Sequence, residues 1–501
     1  MNRDIDTNTV YVLNPEYSLK VDKKRVIIIN SKDADISRRE VNGFVHPVHA
    51  VLLSLFNGKR RLEEVVEAIV KILKTNRSNA ADLIFPMLEN EEPLSFKYDG
   101  YFFNFPDKVL VKAVPNISRR KYDMDSFFIP KKDLDMESLR LYSPINAMLM
   151  VNTLCATDCI YCYADKRESM DCKIPIERLK ELIREANKLV MRSIDVTGGE
   201  LFLYSRWEEL LAELLSNDFH PYISTKFPID REIVYKLKDL GIKRIQISLD
   251  SIVAEELMLM LNVGEDYYHK ILETFRILDE SGLEIYTNSQ VSSINQDSIY
   301  KLLDFLLNLK NVKRISMGAV GFSLYKGGEH YLRLRPSLEK VKKVEDHVNR
   351  LKVEYRDRIT INFSGYLDKS KIIFSSREEK EDEYKKRSRC TANFSAFIIL
   401  PDGKVTICEE LYWHPQFIIG DVMRQSIEEV WNSERALELY NFSKDMVREE
   451  SACSKCTEFD TCRKNRGVCW KEILYAYGSK NWDYPDPKCH LAPKPFREYY
   501  L

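Results

Sequence analysis

No stretch of this sequence approaches about eighteen uninterrupted apolar residues, and Met1 to Val10 is polar and mixed in charge. The first absence excludes a membrane-spanning helix and the second a signal peptide, so a cytoplasmic protein with no membrane partner is expected. Net charge is lacking too. With 76 Lys and Arg against 77 Asp and Glu there is no overall field to recruit a polyanion, and no nucleic acid partner is expected. No repeat of fixed period stands out, which argues against a solenoid. Cysteine is missing from the first 154 residues, before Cys155.

Apolar residues make up 44% of a chain of 501, enough for several buried cores and about three domains. The eleven cysteines cannot be a disulfide framework in a reducing compartment, so metal or cluster ligation becomes the leading explanation. Seven of them lie between Cys390 and Cys489.

Tyr11 to Asn30 holds two β-rich runs around Asp22-Lys23-Lys24, the pattern of a hairpin. Pro47 to Phe56 is a short apolar helix, Leu62 to Leu73 a second of helical period, and Ala80 to Glu89 a third. Tyr101 to Ala113 has the character of a closing strand, and Pro115 to Pro130 that of a linker. The helix content would suit a winged-helix DNA reader. Only Lys59-Arg60-Arg61 is locally basic, however, and it is expected as a solvated helix start.

Strands and amphipathic helices then alternate from about Ile145 to Gly365. The expected strands are Ala147–Asn152, Ser193–Thr197, Pro221–Thr225, Arg244–Leu249, Glu284–Val291 and Arg314–Val320. Six such repeats are too few for a closed eight-unit barrel, so the α/β expectation is a partial (β/α)6 TIM barrel. The almost wholly charged run Ser375 to Arg389 is a linker or an exposed helix. The expected domains are 1–120, a linker at 121–140, the barrel at 141–370, a charged linker at 371–389 and a cysteine-rich domain at 390–501.

At the mouth of the first barrel strand, LCATDCIYCYA sets Cys155, Cys159 and Cys162 in C-x3-C-x2-C. Three thiolates so close can hold three irons of a cubane and leave the fourth open to a chelating amine and carboxylate. A structural zinc would want a fourth protein ligand. With Tyr161 before the last cysteine, the loop resembles that of the radical S-adenosylmethionine superfamily. The resemblance implies a [4Fe-4S] cluster on Cys155, Cys159 and Cys162 that reduces S-adenosylmethionine to a 5′-deoxyadenosyl radical. It also implies an electron donor such as flavodoxin or ferredoxin.

Gly198-Gly199-Glu200, after the second strand, matches that family's motif for the methionine amino group, and Ser248 of ISLDS matches its ribose contact. Thr225 and Asp250 are further candidates for cofactor binding. The His and Arg usual after the serine-leucine-aspartate are absent from SIVAEELMLMLNVG, so the adenosyl part is expected to bind differently in detail. Cys172 matches nothing and reads as an incidental thiol.

Farther on, Cys390 and Cys408 precede Cys453-x2-Cys456-x5-Cys462-x6-Cys469 and then Cys489. One zinc would strand three of these seven thiols. The pattern resembles the SPASM extension of radical enzymes that modify peptides, with an interval of six where three is usual. By that resemblance Cys453, Cys456, Cys462 and Cys489 hold one auxiliary [4Fe-4S] cluster and Cys390, Cys408 and Cys469 another, three clusters in all. No cysteine completes the first auxiliary set, which favours an open iron and thioether chemistry.

Residues 11 to 113, with HPVHAVLLSLFNGKRRLEEVVEAI at their centre, resemble a PqqD-like, winged-helix-like peptide-recognition domain. A leader peptide would then pair with a strand edge, for which Val26–Asn30 is the candidate, and pack on Ala80 to Glu89. The implied partner is a precursor peptide. The expected activity is maturation of a ribosomally made peptide by a thioether crosslink. Carbon–carbon crosslinking, epimerisation, formylglycine formation and a non-catalytic iron–sulfur peptide-binding scaffold are the alternatives. Replacing Cys155, Cys159 and Cys162 together should leave iron and sulfide on the C-terminal cysteines; a triple variant that retains no iron would sink the auxiliary clusters.

Overall fold

The computed structural model describes residues 6–32, 42–117, 121–164, 169–326, 328–365, 376–386, 390–411, 414–465 and 467–496. Among them no helix is long and apolar enough to cross a membrane. The chain divides into two compact units, Met1–Ile145 with Leu189–Ser193, and Asn146–Lys188 with Ile194–Leu501.

In the first unit the run VIIIN at Val26–Asn30 is wholly buried and lies between Tyr17–Val21 and Asn42–Val45, antiparallel to both. It is therefore not the edge that was expected: a strand without polar alternation needs its backbone paired on both sides. The expected hairpin forms only from Tyr17 onward. Pro15 interrupts any ladder, and Val10–Leu13 pairs with Asn57–Arg61 and Leu110–Lys112 instead. Lys59, Arg60 and Arg61 are exposed at the end of that strand, directly before the helix Leu62–Leu73.

The helix Pro47–Ser54 falls inside its expected span. The third helix is Arg77–Ile84, starting before Ala80 because the Asn76 side chain caps it by accepting from Asn79 N at 2.8 Å. Tyr101 to Ala113 is two strands, Tyr101–Phe105 and Leu110–Lys112. The first pairs with Leu94–Tyr98 across Asp99-Gly100, whose φ angles of 49° and 87° suit a two-residue hairpin turn.

The polar hairpin turn exposes Lys23 and Lys24 but buries the two charged residues that flank them. Asp22 and Arg25 form a 3.0 Å ion pair with both side chains fully inaccessible. Asp22 also accepts from the backbone N–H groups of Tyr142 and Ser143 at 3.1 and 3.0 Å, while Arg25 donates to the carbonyls of Ser138 and Arg140. Lys20 Nζ donates to the carbonyls of Pro144 and Leu189 at 2.8 and 2.6 Å. Every buried charge here has a partner, which is the condition for tolerating it. The stretch read as a linker lies along this unit: Phe127 is buried in its core, with Tyr122, Met124, Ile129 and Met136 packed beside it.

In the second unit, strands β1 (Asn146–Met150), β2 (Ser193–Thr197), β3 (Ser224–Thr225), β4 (Arg244–Ser248), β5 (Glu284–Val291), β6 (Val312–Ala319) and β7 (Thr360–Ser364) succeed one another in space as in sequence. β3 to β7 are parallel, and a parallel bridge from Val196 to Ile223 joins β2 to β3. The barrel is partial, and among the described residues β7 adds a seventh strand to the six expected. β7 escaped notice because TINFS alternates exposed and buried positions in a short polar sequence.

The free side of β1 is taken by Ala396–Ile399, parallel to it, followed by Lys404–Thr406 and Ile418–Asp421 in antiparallel order. Within the charged run, Arg377–Lys386 is an exposed helix with only Tyr384 buried; Ser375 and residues 387–389 lie outside the described residues.

His49 is buried among Phe96, Tyr98, Phe103 and Phe105. Burial, with the neighbouring His46 adding to it, pushes its pKa from 6.5 down to about 4. Between these values the unfolded chain binds a proton that the folded chain refuses. Stability should therefore fall as pH drops from about 6.5 toward 4, by up to ~3 kcal/mol. His49→Phe should remove this part of the acid limb when melting temperature is followed against pH; an identical limb in the variant would contradict the assignment.

Candidate active site

The barrel's first two strands end against each other. Val151 N donates to Thr197 O at 3.0 Å and Gly199 N to Asn152 O at 2.8 Å. The fully buried Asn152 side chain closes the junction, accepting from Glu200 N at 3.1 Å and donating to Glu200 O at 2.8 Å. A Cβ on Gly199 would lie 1.8 Å from Leu154 O, and one on Gly198, at φ 148°, 2.6 Å from Asn152 O. Only glycine permits this approach. It places Glu200 beside the loop that starts at Cys155.

Cys155, Cys159 and Cys162 all line one cavity of about 570 Å³ together with Gly198, Gly199 and Glu200. Cys155 is exposed, Cys159 buried and Cys162 half-buried. The cysteine loop is tied down through its backbone. Asp158 N and Ile160 N donate to the carbonyls of Leu261 and Met260, both at 2.9 Å, while Lys326 Nζ and the His330 ring contact the carbonyls of Cys159 and Ile160. Thus SIVAEELMLMLNVG, which lacks the usual His and Arg, ends in a helix, Ala254–Leu261, whose last carbonyls hold the loop.

The sequence candidates converge here. Thr225 Oγ1 donates to Glu200 Oε1 at 2.7 Å, and Lys226 N donates to Oε2 at 3.2 Å. Burial pushes the Glu200 carboxyl up, and these donors oppose the shift. Tyr161 and Lys226 both donate to Asp250 Oδ2, the lysine at 2.8 Å, and Asp250 Oδ1 accepts from Gln290 N at 2.7 Å. Burial and the Asp250 charge hold the Tyr161 phenol well above its ordinary range. For Lys226, burial acts downward, but Asp250 and the nearby Cys159 and Cys162 hold the ammonium above its usual value. Ser248 lines the cavity and accepts from Gln246 Nε2 at 2.8 Å. Asp250 is not among the lining residues; it acts through Tyr161 and Lys226.

Sequence reasoning passed over Lys226, Asn288, Gln290 and Arg335, which line this cavity, and Asn152, which closes the strand junction beside it. The cysteine-rich region also lines the cavity, through Glu410, Lys471, Glu472 and Tyr475. Glu410, two residues past Cys408, pairs with Lys471 at 2.6 Å and accepts from the Tyr475 hydroxyl. Adjacency of Asn152 to the C-x3-C-x2-C loop and of Lys226 to Thr225 was the available signal; the lining from the cysteine-rich region offered none without tertiary contacts.

The remaining cysteines fall into two groups. Cys453, Cys456, Cys462 and Cys489 surround one small cavity, and Tyr384 Oη lies 3.2 Å from Cys462 Sγ. Burial raises the Cys489 thiol to about 11. Cys408 and Cys469 each sense the charge of Cys390, and burial, with the Glu409 and Glu410 charges, pushes the Cys408 thiol up to about 12. Cys172 belongs to neither group; its Sγ lies 3.6 Å from Ile174 O. Two buried nitrogens beside these thiols, Arg463 Nη1 and His490 Nδ1, have no partner among the described residues.

Residues 150–306 match the radical SAM superfamily and residues 390–457 the iron-sulfur cluster-binding domain called SPASM. The antilisterial bacteriocin subtilosin biosynthesis protein AlbA of Bacillus subtilis (strain 168) is 22% identical over 342 residues, 68% of this chain and 70% of that protein. A probable GTP 3′,8-cyclase of Saccharolobus islandicus is 21% identical over 209 residues, covering 41% of this chain and 65% of its own length. Among solved structures, Streptococcus suis SuiB bound to S-adenosylmethionine aligns with a TM-score of 0.64 at 14% identity, over 95% of this chain and 99% of that one. SuiB bound to precursor peptide SuiA gives 0.64 at 15% identity, over 96% and 99%. At these identities the likeness is one of fold.

Gly199→Ala should displace the segment that leads to Cys155, at a cost of ~3 kcal/mol, with iron lost from the Cys155 loop first. Gly264→Ala, whose Cβ would meet nothing, should cost no more than about 1 kcal/mol. Thermal melts and iron counts of the two proteins check this, and equal behaviour would refute the seam.

Proposed function

We infer, from a chain that is a radical S-adenosylmethionine enzyme with a SPASM extension, that it modifies a ribosomally made peptide. The observation that carries this reading is the shared cavity: the Cys155 loop, Gly198-Gly199-Glu200 and residues of the cysteine-rich region line one space. A substrate entering it would meet both the Cys155 loop and the cysteine-rich region. Similarity to AlbA and to the fold of SuiB, a protein that binds a precursor peptide, supports the same substrate class.

Cys155, Cys159 and Cys162 would hold three irons of a [4Fe-4S] cluster. With S-adenosylmethionine bound, such a cluster would supply one-electron reductive cleavage and, through it, hydrogen abstraction from the substrate. The residues fit this ligand. Glu200 offers a carboxylate for the ammonium, its orientation fixed by Thr225 Oγ1 and Lys226 N. Lys226 supplies positive charge for the carboxylate, and Ser248 a hydroxyl for the ribose. The low-dielectric setting strengthens each of these contacts.

In the cysteine-rich region Cys453, Cys456, Cys462 and Cys489 would hold one auxiliary cluster, and Cys390, Cys408 and Cys469 another. Buried, unpartnered nitrogens on Arg463 and His490 suit sites that receive sulfur acceptors. Cys172 is occupied elsewhere, so the three-cysteine set is short of a fourth thiol, and an open iron there favours a thioether product. The first unit would serve as a PqqD-like recognition domain for the leader. Strand addition would use an outer strand, Tyr17–Val21 or Asn42–Val45, because Val26–Asn30 is paired on both sides. Tethering the leader raises the effective concentration of the core peptide.

Anaerobic protein given dithionite, S-adenosylmethionine and a cysteine-containing precursor peptide should yield 5′-deoxyadenosine, and Cys155→Ala should abolish it. The product should lose two hydrogens and one alkylatable thiol by mass spectrometry. Loss of hydrogen with the thiol intact would indicate carbon–carbon closure, and unchanged mass epimerisation. Absence of 5′-deoxyadenosine from the loaded protein would leave only a scaffold.

A further inference from the structure

One cationic side chain, that of Arg463, lines two cavities of the C-terminal region, one lined also by Cys453, Cys456, Cys462 and Cys489 and the other by Cys390. Its Nη2 lies 3.8 Å from Cys453 Sγ. Its guanidinium sits over the rings of Phe442, Trp470 and Phe459 at 5.0, 5.3 and 5.4 Å from their centroids. Nη1 is buried without a partner, and no carboxylate pairs with this arginine among the described residues.

A guanidinium held away from water ordinarily stands against a carboxylate, because a charge in a dry setting needs its counter-charge. Here the aromatic faces supply only cation–π attraction; Cys453 Sγ lies 3.8 Å from the guanidinium, and Cys390 lines the second cavity that Arg463 reaches. Thiolate-bound iron–sulfur clusters take their reduction potential from net charge and from hydrogen bonds to sulfur. Adding an electron to either one raises the local negative charge, which a neighbouring cation offsets. A planar fork of donors can reach sulfur in two directions while stacked on rings; a lysine ammonium cannot.

We propose that Arg463 is the shared counter-ion of the two auxiliary clusters, raising the potentials of both and coupling them. Reduction of one then engages the common cation and makes reduction of the other harder. This rests on the auxiliary-cluster reading given above. Arg463 acts as a positioning residue, through the clusters and not on the substrate.

The test uses full-length protein with Cys155, Cys159 and Cys162 replaced by alanine, so that only auxiliary signals remain. Redox titration followed by electron paramagnetic resonance is compared for this parent and for added Arg463→Gln and Arg463→Lys. The expected result is a downward shift of both midpoints in Arg463→Gln at unchanged iron content, with Arg463→Lys in between. Movement of one midpoint alone, or of neither, overturns the shared role. If Arg463→Gln loses iron, retention of iron by Arg463→Lys supports a requirement for the charge, whereas loss in both variants makes Arg463 a packing residue and overturns the proposal. A parent without iron would instead refute the auxiliary clusters themselves, an outcome distinct from all of these.

Discussion

Backbone contact between the ends of β1 and β2 is the constraint from which the cavity follows. Leu154 and Gly199 approach so closely that any side chain at 199 would collide with a carbonyl, and Asn152 locks the crossing with two hydrogen bonds to Glu200. One side of this crossing continues into Cys155 and the other into Glu200. Thiols and carboxylate are thus set against each other by main chain, which is stiffer than any side-chain contact could be.

Charge in and behind the cavity wall is arranged in internally matched sets. Lys226 and Tyr161 answer Asp250, Lys471 and Tyr475 answer Glu410, and Glu200 is held by a hydroxyl and main-chain N–H groups. Matching of this kind keeps ionised groups tolerable in a poorly solvated space. A zwitterionic ligand would exchange one set of partners for another and would not bring naked charge into the protein.

The sequence was most legible where chemistry forces local spacing. The C-x3-C-x2-C loop and the paired glycines announce themselves within a few residues and line one cavity, whereas the C-terminal cysteines are spread from Cys390 to Cys489 and were divided only by their resemblance to the SPASM pattern. Strands with strong periodicity were equally plain: Ser193–Thr197 and Glu284–Val291 have the bounds their pattern implied. Pro221–Thr225 shrank to two residues because proline cannot donate to a ladder. What stayed hidden depends on partners distant in the chain. Nothing local reveals that Asp22 and Arg25 are buried or brings Lys471 to Glu410, whereas the unbroken apolar run at Val26–Asn30 did carry the sign of a central strand. The Asp99-Gly100 hairpin is different: its turn residues and flanking aromatics were readable, and reading Tyr101 to Ala113 as one strand obscured them.

Ala396–Ile399 completes the barrel's sheet by lying along β1, although some 250 residues separate the two in sequence. The cysteine-rich region is therefore stitched into the barrel and is not an appendage to it. During synthesis β1 must wait, one flank bare, until the ribosome has delivered nearly four-fifths of the polypeptide. Such long-range closure is slow and leaves a sticky edge exposed meanwhile. A shortened gene product ending before that strand would carry the same bare flank permanently, and would be prone to self-association before any question of catalysis arose.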